Sequence, residues 1–442
     1  MKRLRLSPRS VLQHDHALVT VRIGFRNDDG ATFQDNIVTL VEHLSGRMPA
    51  EASSAVKDDY AVSVVSVRED GSEDSNTNCG TVEFAVPDLA FPADHGYPLL
   101  LAISTFGSVF SSVVEYQLID IELPERYLST LQGPFHGAEA TVQMMGDKRV
   151  AHGIVLRPRF HATEELLTDY VREFVAAGID YIVDDELTTP EPLREFCGRI
   201  SIIRRAIEAG LRSRKGSQRH CPSPIFIATV TSRTTTAIDL AKRAVVAGAD
   251  GVMINPIVMG FDVLQSLAED SSFSGLAIAN MIGRSLLTGG PRYRISPVLL
   301  CKLTRLAGAD AIYIQPFAGQ IRNPTKSAAE YEAVLTQQLS SGTSHHASTA
   351  IMSGGMGLAE LVANEKIYEG PLMLSIGERC AAAWDRGAPP SVVLDCLRET
   401  RDAVAEGGRE ALERALLKLR DRGRHHRECL EIFGADSLVN DS

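Results

Sequence analysis

The chain has 442 residues, with 45 Lys+Arg against 56 Asp+Glu for a formal net charge of −11, and is 44% hydrophobic and 23% charged. This is the composition of an ordinary globular protein, long enough for two or three domains or for one large barrel with an accessory domain. The acidic total excludes bulk binding of a nucleic-acid backbone, which needs a Lys/Arg excess, but a local basic cluster can still hold a small anion.

Met1 to Arg5 is basic with no apolar run behind it, so no signal peptide is read there. Val19–Phe25, Ala61–Val67 and Thr81–Val86 read as strands, and Asn36–Leu44 as a helix. Glu69–Asn78 is an acidic, polar loop. Tyr97–Val114 carries no charge and approaches transmembrane length, but Pro98, Gly107 and its Ser/Thr residues favour a buried helix over a membrane span. Residues 1–145 therefore form a small α+β domain, and Pro124, Gly133, Pro134 and Gly137 punctuate the link that follows.

An internal repeat organises the rest. Ala177-Gly178-Ile179-Asp180, Ala247-Gly248-Ala249-Asp250 and Ala307-Gly308-Ala309-Asp310 each lead into a short apolar run. Each reads as a helix ended by glycine, followed by a buried strand. Candidate strands are Gly153–Leu156, Tyr181–Val183, Ile225–Val230, Val252–Ile254, Leu276–Ala279, Ala311–Ile314, Thr349–Met352 and Leu372–Leu374, with helical patterns between them. Eight strands alternating with helices suggest a closed parallel barrel over about residues 150–390; a doubly wound open sheet is the runner-up. Charged helices, including Ala411–Arg420, follow Pro390.

The seven cysteines are scattered and form no C-x-x-C pair, so neither a zinc site nor a disulfide framework is expected, and a reducing cytoplasmic compartment fits. The adjacent pairs His345-His346 and His425-His426, and the basic cluster Arg420–Arg427, are expected on a solvated surface.

In a parallel barrel the chemistry sits at the C-terminal ends of the strands. Those positions hold Arg157 and Arg159, then Asp184, Asp185 and Glu186, then Asn280 and Arg284, Gln315, Gln320 and Arg322, Ser353-Gly354-Gly355, and Ser375 with Gly377. Together they make a polar ring able to hold a small anionic substrate. The three carboxylates in a row can bind Mg²⁺ or supply an acid or base. Alternatively they cap the next helix and pair with Arg157 and Arg159. Ser353-Gly354-Gly355 can cradle a phosphate with backbone N–H groups, or be a plain turn.

These residues resemble a known family. Gly178-Ile-Asp-Tyr-Ile-Val-Asp-Asp-Glu186 is similar to the second barrel strand of the RuBisCO large-subunit superfamily. Gly153-Ile-Val-Leu-Arg-Pro-Arg159 resembles its first strand, Leu131-Gln-Gly-Pro-Phe-His-Gly137 its connection into the barrel, and Ser353-Gly-Gly355 its phosphate turn. With Leu306-Ala-Gly-Ala-Asp310 these segments run in family order over about residues 131–355. The resemblance implies an N-terminal α+β (ferredoxin-like) domain over 1–145, and a TIM (β/α)8 barrel with C-terminal helices over 146–442. It also implies a homodimer with a shared active site, in which Ser108 and the region near Glu51 face the partner's barrel.

The departures from the family narrow the function. The lysine that the carboxylases carbamylate is Val183 here, so Asp185 and Glu186 match two metal ligands and the third is missing. Mg²⁺ can still be held weakly by these two with substrate oxygens and water; no organic cofactor is implied. Arg157 and Arg159 replace two lysines, Gln320 the loop-6 lysine and Tyr313 a phosphate-binding histidine. Met281-Ile282 takes the place of a His-Arg pair, and Ser375-Ile376 that of strand-8 glycines, with Gly377 kept. The pattern is that of the non-carboxylating RuBisCO-like proteins (form IV). It implies enolate chemistry, of isomerase, enolase, decarboxylase or hydrolase type, on a sugar phosphate or oxo-sugar-acid phosphate. Arg157 and Arg159 would be the cations and Asp185 or Glu186 the base. Ser353, Gly354, Gly355, Gly377, Tyr313, Gln320, Asn280 and Arg284 would bind substrate. The alternative is a non-catalytic descendant that binds a metabolite or partner, with Met281, Ile282, Ile376 and Tyr313 filling the pocket.

Overall fold

The computed structural model describes residues 6–7, 15–27, 30–45, 61–70, 76–87, 111–156, 163–188, 193–214, 221–339, 342, 344–407 and 409–434; Glu51, Ser108, Arg157 and Arg159 lie outside them. The strands are, in chain order, β1 (His16–Arg26), β2 (Ser63–Asp70), β3 (Thr77–Pro87), β4 (Val113–Glu122), β5 (Val150–Val155), β6 (Tyr181–Val183) and β7 (Ile225–Thr229). They continue with β8 (Gly251–Ile254), β9 (Leu276–Ala279), β10 (Tyr293–Ile295), β11 (Ala311–Ile314), β12 (Thr349–Met352) and β13 (Leu372–Ser375). The chain divides into two compact units: Met1–Gln132 with Ile282–Ala307 and Gln338–His345, and Gly133–Met281 with Gly308–Gln337 and His346–Ser442.

The first unit is built on a five-stranded sheet, β10-β4-β1-β3-β2, antiparallel except for the parallel β10–β4 pair. The order β4-β1-β3-β2 is that of a ferredoxin-like sheet. Val19, Val21, Ile23 and Phe25 alternate along β1 onto one face, where they meet Phe33, Ile37 and Leu40 of the helix Phe33–Ser45. That helix starts where Thr32 and Asp35 cap each other, Asp35 N donating to Thr32 Oγ1 at 3.2 Å and Thr32 N to Asp35 Oδ2 at 3.1 Å. Leu299, Leu303 and Leu306, spaced three and four residues apart on the helix Pro297–Leu306, join the same core.

Two sequence expectations change in this unit. Val113 and Val114 open strand β4 instead of closing a buried helix, because Tyr116, Leu118 and Ile121 pack into the sheet's core; Tyr97–Phe110 lies outside the described residues. His345 is buried, with its Nε2 3.0 Å from Leu131 O, while His346 is exposed as expected. The carbonyl of His345 accepts from the buried Arg305 guanidinium at 3.1 Å, whose pKa burial pushes down to about 10.

The second unit is a closed barrel of eight parallel strands, in the order β11-β12-β13-β5-β6-β7-β8-β9. All eight candidate strands are present. Most of their residues are buried because the strands face packed side chains inside and helices outside. Each fully buried Val, Ile or Leu contributes about 1.5–3 kcal/mol relative to exposure.

The repeat has a physical meaning. Gly178, Gly248 and Gly308 take positive φ (97°, 117° and 109°), which turns the chain back into the barrel. The aspartate two residues later exchanges hydrogen bonds with the strand before it. Asp180, Asp250 and Asp310 accept through Oδ2 from His152 N (2.9 Å), Phe226 N (2.8 Å) and Ala277 N (2.8 Å). In return their own N–H groups donate to the carbonyls of His152, Phe226 and Ala277. Lys148 pairs with Asp180 at 2.5 Å and Arg204 with Asp250 at 2.7 Å; Asp310 instead takes the N–H groups of His136 and Gly137 at 2.9 and 2.6 Å. The aspartates thus satisfy amides at the N-terminal ends of the strands and leave the C-terminal ends free for a site.

Candidate functional site

Three successive carboxylates follow β6, and the fold gives them different tasks. Asp184 is fully buried and gripped by Arg199, with Nη2–Oδ1 2.8 Å and Nε–Oδ2 3.2 Å. It forms a structural ion pair with Arg199; Arg157 and Arg159, the partners expected from the sequence, lie outside the described residues. Asp185, also buried, accepts through Oδ1 from Leu187 N at 2.9 Å, closing a tight turn. Glu186 sits on that turn, half-buried, and its charge acts on Tyr313. Val183, at the position of the missing metal ligand, is fully buried.

Across the mouth lies a pocket of about 50 Å³, lined by Ser353, Gly354, Gly355, Ser375, Gly377 and Arg379 among others. Its turn depends on two consecutive positive-φ glycines, Gly354 (126°) and Gly355 (60°), a conformation that side chains resist. The helix Gly377–Asp385 begins at its edge with no side-chain cap, so its first-turn N–H groups are open to an anion. Arg379, one turn into that helix, donates from Nη2 to Gly355 O at 3.1 Å and from Nη1 to Ile432 O at 2.5 Å. It forms no ion pair with a described carboxylate, and this leaves a cation in the lining. Sequence reasoning missed Arg379, because a charged residue inside a helix reads as solvated surface.

A third group links the two sides. Ser375 Oγ, at the end of β13, lies 2.9 Å from Tyr181 Oη, and its hydroxyl also acts on Tyr313. Burial pushes both phenols above the ordinary tyrosine pKa, and the Glu186 charge raises Tyr313 further. Tyr313 thus feels both the Glu186 charge and the Ser375 hydroxyl, and Ser375 lines the pocket.

The remaining expected residues have distinct surroundings. Gln320 is exposed, with Oε1 3.8 Å from where a Cβ on Gly355 would stand. Its loop is pinned by Asn364 Oδ1, which accepts from Phe317 N at 2.7 Å and Ala318 N at 3.0 Å. Asn280 is 3% exposed and points its amide at Met253 Sδ, 3.4 Å away. Arg284 occupies the N-cap position of the short helix Ser285–Thr288 in the first unit, with no side-chain capping bond. Ile282, expected to fill a pocket in the binding-only reading, is 53% exposed.

The residues do not fit a prebuilt Mg²⁺ site. Among the described residues no group of three His, Cys, Asp or Glu side chains could hold a metal ion. Asp184 is committed to Arg199, and the Val183 side chain offers no oxygen. All seven cysteines are free thiols. Among the described residues no helix is long and apolar enough to cross a membrane.

Known proteins resemble this architecture. A family model, "Ribulose bisphosphate carboxylase large chain, catalytic domain", matches residues 138–365. A 2,3-diketo-5-methylthiopentyl-1-phosphate enolase from Bacillus pumilus is 30% identical over 270 residues, 58% of this chain and 61% of that protein. A ribulose bisphosphate carboxylase-like protein from Archaeoglobus fulgidus is 27% identical over 236 residues, 52% of this chain and 53% of that one. Both alignments take in less than two thirds of the relative's own length. A rubisco-like protein from Alicyclobacillus acidocaldarius shares the fold with a TM-score of 0.78 at 17% identity, covering 95% of this chain and 99% of that one. The family match takes in just over half of the sequence, including the carboxylate turn and the phosphate turn, and the chain belongs to the RuBisCO large-chain family.

Proposed function

We propose that the protein acts through an enolate on a small phosphorylated keto compound derived from a sugar, and does not carboxylate ribulose bisphosphate. One observation carries the reading: a pocket lined by Arg379, which pairs with no described carboxylate, also holds Ser375, and Tyr313 feels both that serine and Glu186 of the carboxylate turn. The pocket holds the phosphate by helix N–H groups, the Gly354–Gly355 turn, Ser353 and Arg379. Glu186 takes a proton from the carbon next to the substrate carbonyl, and the electron pair moves onto the carbonyl oxygen as an enolate. Fixed cations stabilise that oxygen, a role assigned to Arg157 and Arg159. The proton then leaves Glu186 for the enolate oxygen or a neighbouring carbon, which sets whether the outcome is enolisation or isomerisation. With Val183 in place of the lysine, CO₂ has no amine to carbamylate, and this argues against carboxylation.

The relatives named as 2,3-diketo-5-methylthiopentyl-1-phosphate enolases make that diketone phosphate the first substrate to try. Incubation in D₂O, followed by proton NMR, reads loss of the C1–H signal. Exchange that disappears in Glu186→Gln supports the reading. Phosphoglycolate binding without exchange of any diketone or sugar phosphate would favour the second reading, a metabolite binder, for which buried Val183 speaks. Exchange is expected to persist in EDTA, because the described residues bring no three metal-binding side chains together. Dimeric and octameric proteins share the fold, and we propose a homodimer; Glu51 and Ser108, expected at the partner's barrel, lie outside the described residues.

A further inference from the structure

Three hydroxyls meet inside the barrel mouth. Tyr181 is fully buried, Ser375 is 5% exposed, and Tyr313 is half-buried beside them. Tyr181 Oη stands 2.9 Å from Ser375 Oγ, and Tyr313 lies near enough to the same serine to feel its hydroxyl. A serine hydroxyl has two acceptor lone pairs and one proton. A phenol is the stronger acid and an aliphatic alcohol the better acceptor, which favours Tyr181 as the donor and Ser375 as the acceptor in this bond. With Tyr181 donating, the Ser375 proton is left to point elsewhere, and the open side of Ser375 is the pocket that it lines. Hydroxyls in line polarise one another, which strengthens the last donor.

The barrel is shaped around this arrangement. A Cβ on Gly153 would stand 2.3 Å from the Tyr181 ring, so β5 forgoes a side chain to let the phenol lie across it. A buried phenylalanine would pack as well there without the hydroxyl; the tyrosine specifies a hydrogen bond to Ser375.

We propose that Ser375 Oγ–H is a side-chain donor to the bound oxyanion, and that Tyr181 and Tyr313 are positioning residues that fill its lone pairs and aim its proton into the pocket. This rests on the anion-pocket reading above and adds a specificity: the site favours an acceptor-only headgroup, a phosphate dianion over its protonated monoanion. Ser375, where the family resemblance places a glycine, is then a gained contact.

Isothermal titration with phosphoglycolate tests it, on wild type, Ser375→Ala, Ser375→Thr, Tyr181→Phe, Tyr313→Phe and the Ser375→Ala/Tyr313→Phe double variant. Ser375→Ala is expected to weaken binding about tenfold or more, the scale of one hydrogen bond to a charged group. Each tyrosine variant is expected to weaken it a few-fold, and Tyr313→Phe to add less than twofold on the Ser375→Ala background. Ser375→Thr keeps the hydroxyl and is expected to retain most of the affinity. Fully additive losses, or Ser375→Ala within twofold of wild type while Arg379→Gln weakens binding, overturn this inference and leave the pocket reading intact. Wild type that binds no phosphoglycolate at millimolar concentration overturns both.

Discussion

Arg379→Gln isolates the charge of the anion pocket. Glutamine keeps an N–H donor near the carbonyls of Gly355 and Ile432, which Arg379 holds at 3.1 and 2.5 Å, but removes the cation. A unit charge about 4 Å from an anion contributes about 4 kcal/mol at an effective dielectric of about 20. Arg379 is partly exposed, so screening brings this down to about 1.5–3 kcal/mol, the range of hydrogen bonds to charged groups. At about 1.4 kcal/mol per decade, phosphoglycolate should bind about 10- to 100-fold more weakly to the variant. Calorimetry at two ionic strengths gives a second reading: wild-type affinity falls with salt, and the variant's falls less. An affinity within twofold of wild type, with an unchanged salt dependence, would refute the assignment of Arg379 to the pocket.

Three other outcomes follow from the same geometry. Asp250→Ala leaves Phe226 N and Arg204 without their carboxylate, and urea denaturation should show a loss of about 1–3 kcal/mol; an unchanged midpoint would deny the repeat its structural role. Gly153→Ala drives a methyl into the Tyr181 ring and should destabilise by about 1–3 kcal/mol, with Tyr181→Phe giving no relief because the ring remains. Burial raises the Tyr181 and Tyr313 pKa values above the unfolded value of about 10, so the unfolded chain loses these protons first. Their contribution is complete below about pH 10 and is lost as pH rises beyond it, so urea midpoints should fall above pH 10, less steeply in Tyr181→Phe.

The barrel was legible because its signals are local. Each Ala-Gly-x-Asp unit places a helix end, a turn and a strand start within a few residues, and the aspartates then prove to be latches between strands. β4 was hidden because its first residues continue an uncharged stretch that carries no period. β10 is a three-residue edge strand, with Tyr293 and Arg294 exposed, and owes its existence to pairing with Tyr116–Leu118. The carboxylate run after β6 was visible in composition, but its division of labour depends on Arg199, 15 residues beyond Asp184. The burial of His345 likewise depends on a carbonyl at Leu131, 214 residues away. Ser375 read as a lost glycine because its meaning lies in Tyr181 and Tyr313, which reach it from other strands. Local patterns disclose elements; partners brought together by the barrel closure do not show in them.

The central claim is that Glu186 abstracts a proton next to a carbonyl while the pocket holds the substrate's phosphate. The most direct measurement is NMR in D₂O of hydrogen exchange at C1 of 2,3-diketo-5-methylthiopentyl-1-phosphate. Exchange above the buffer rate in wild type, abolished in Glu186→Gln while phosphoglycolate affinity stays within about threefold, is the predicted result. Exchange in Glu186→Gln equal to that of wild type would contradict it.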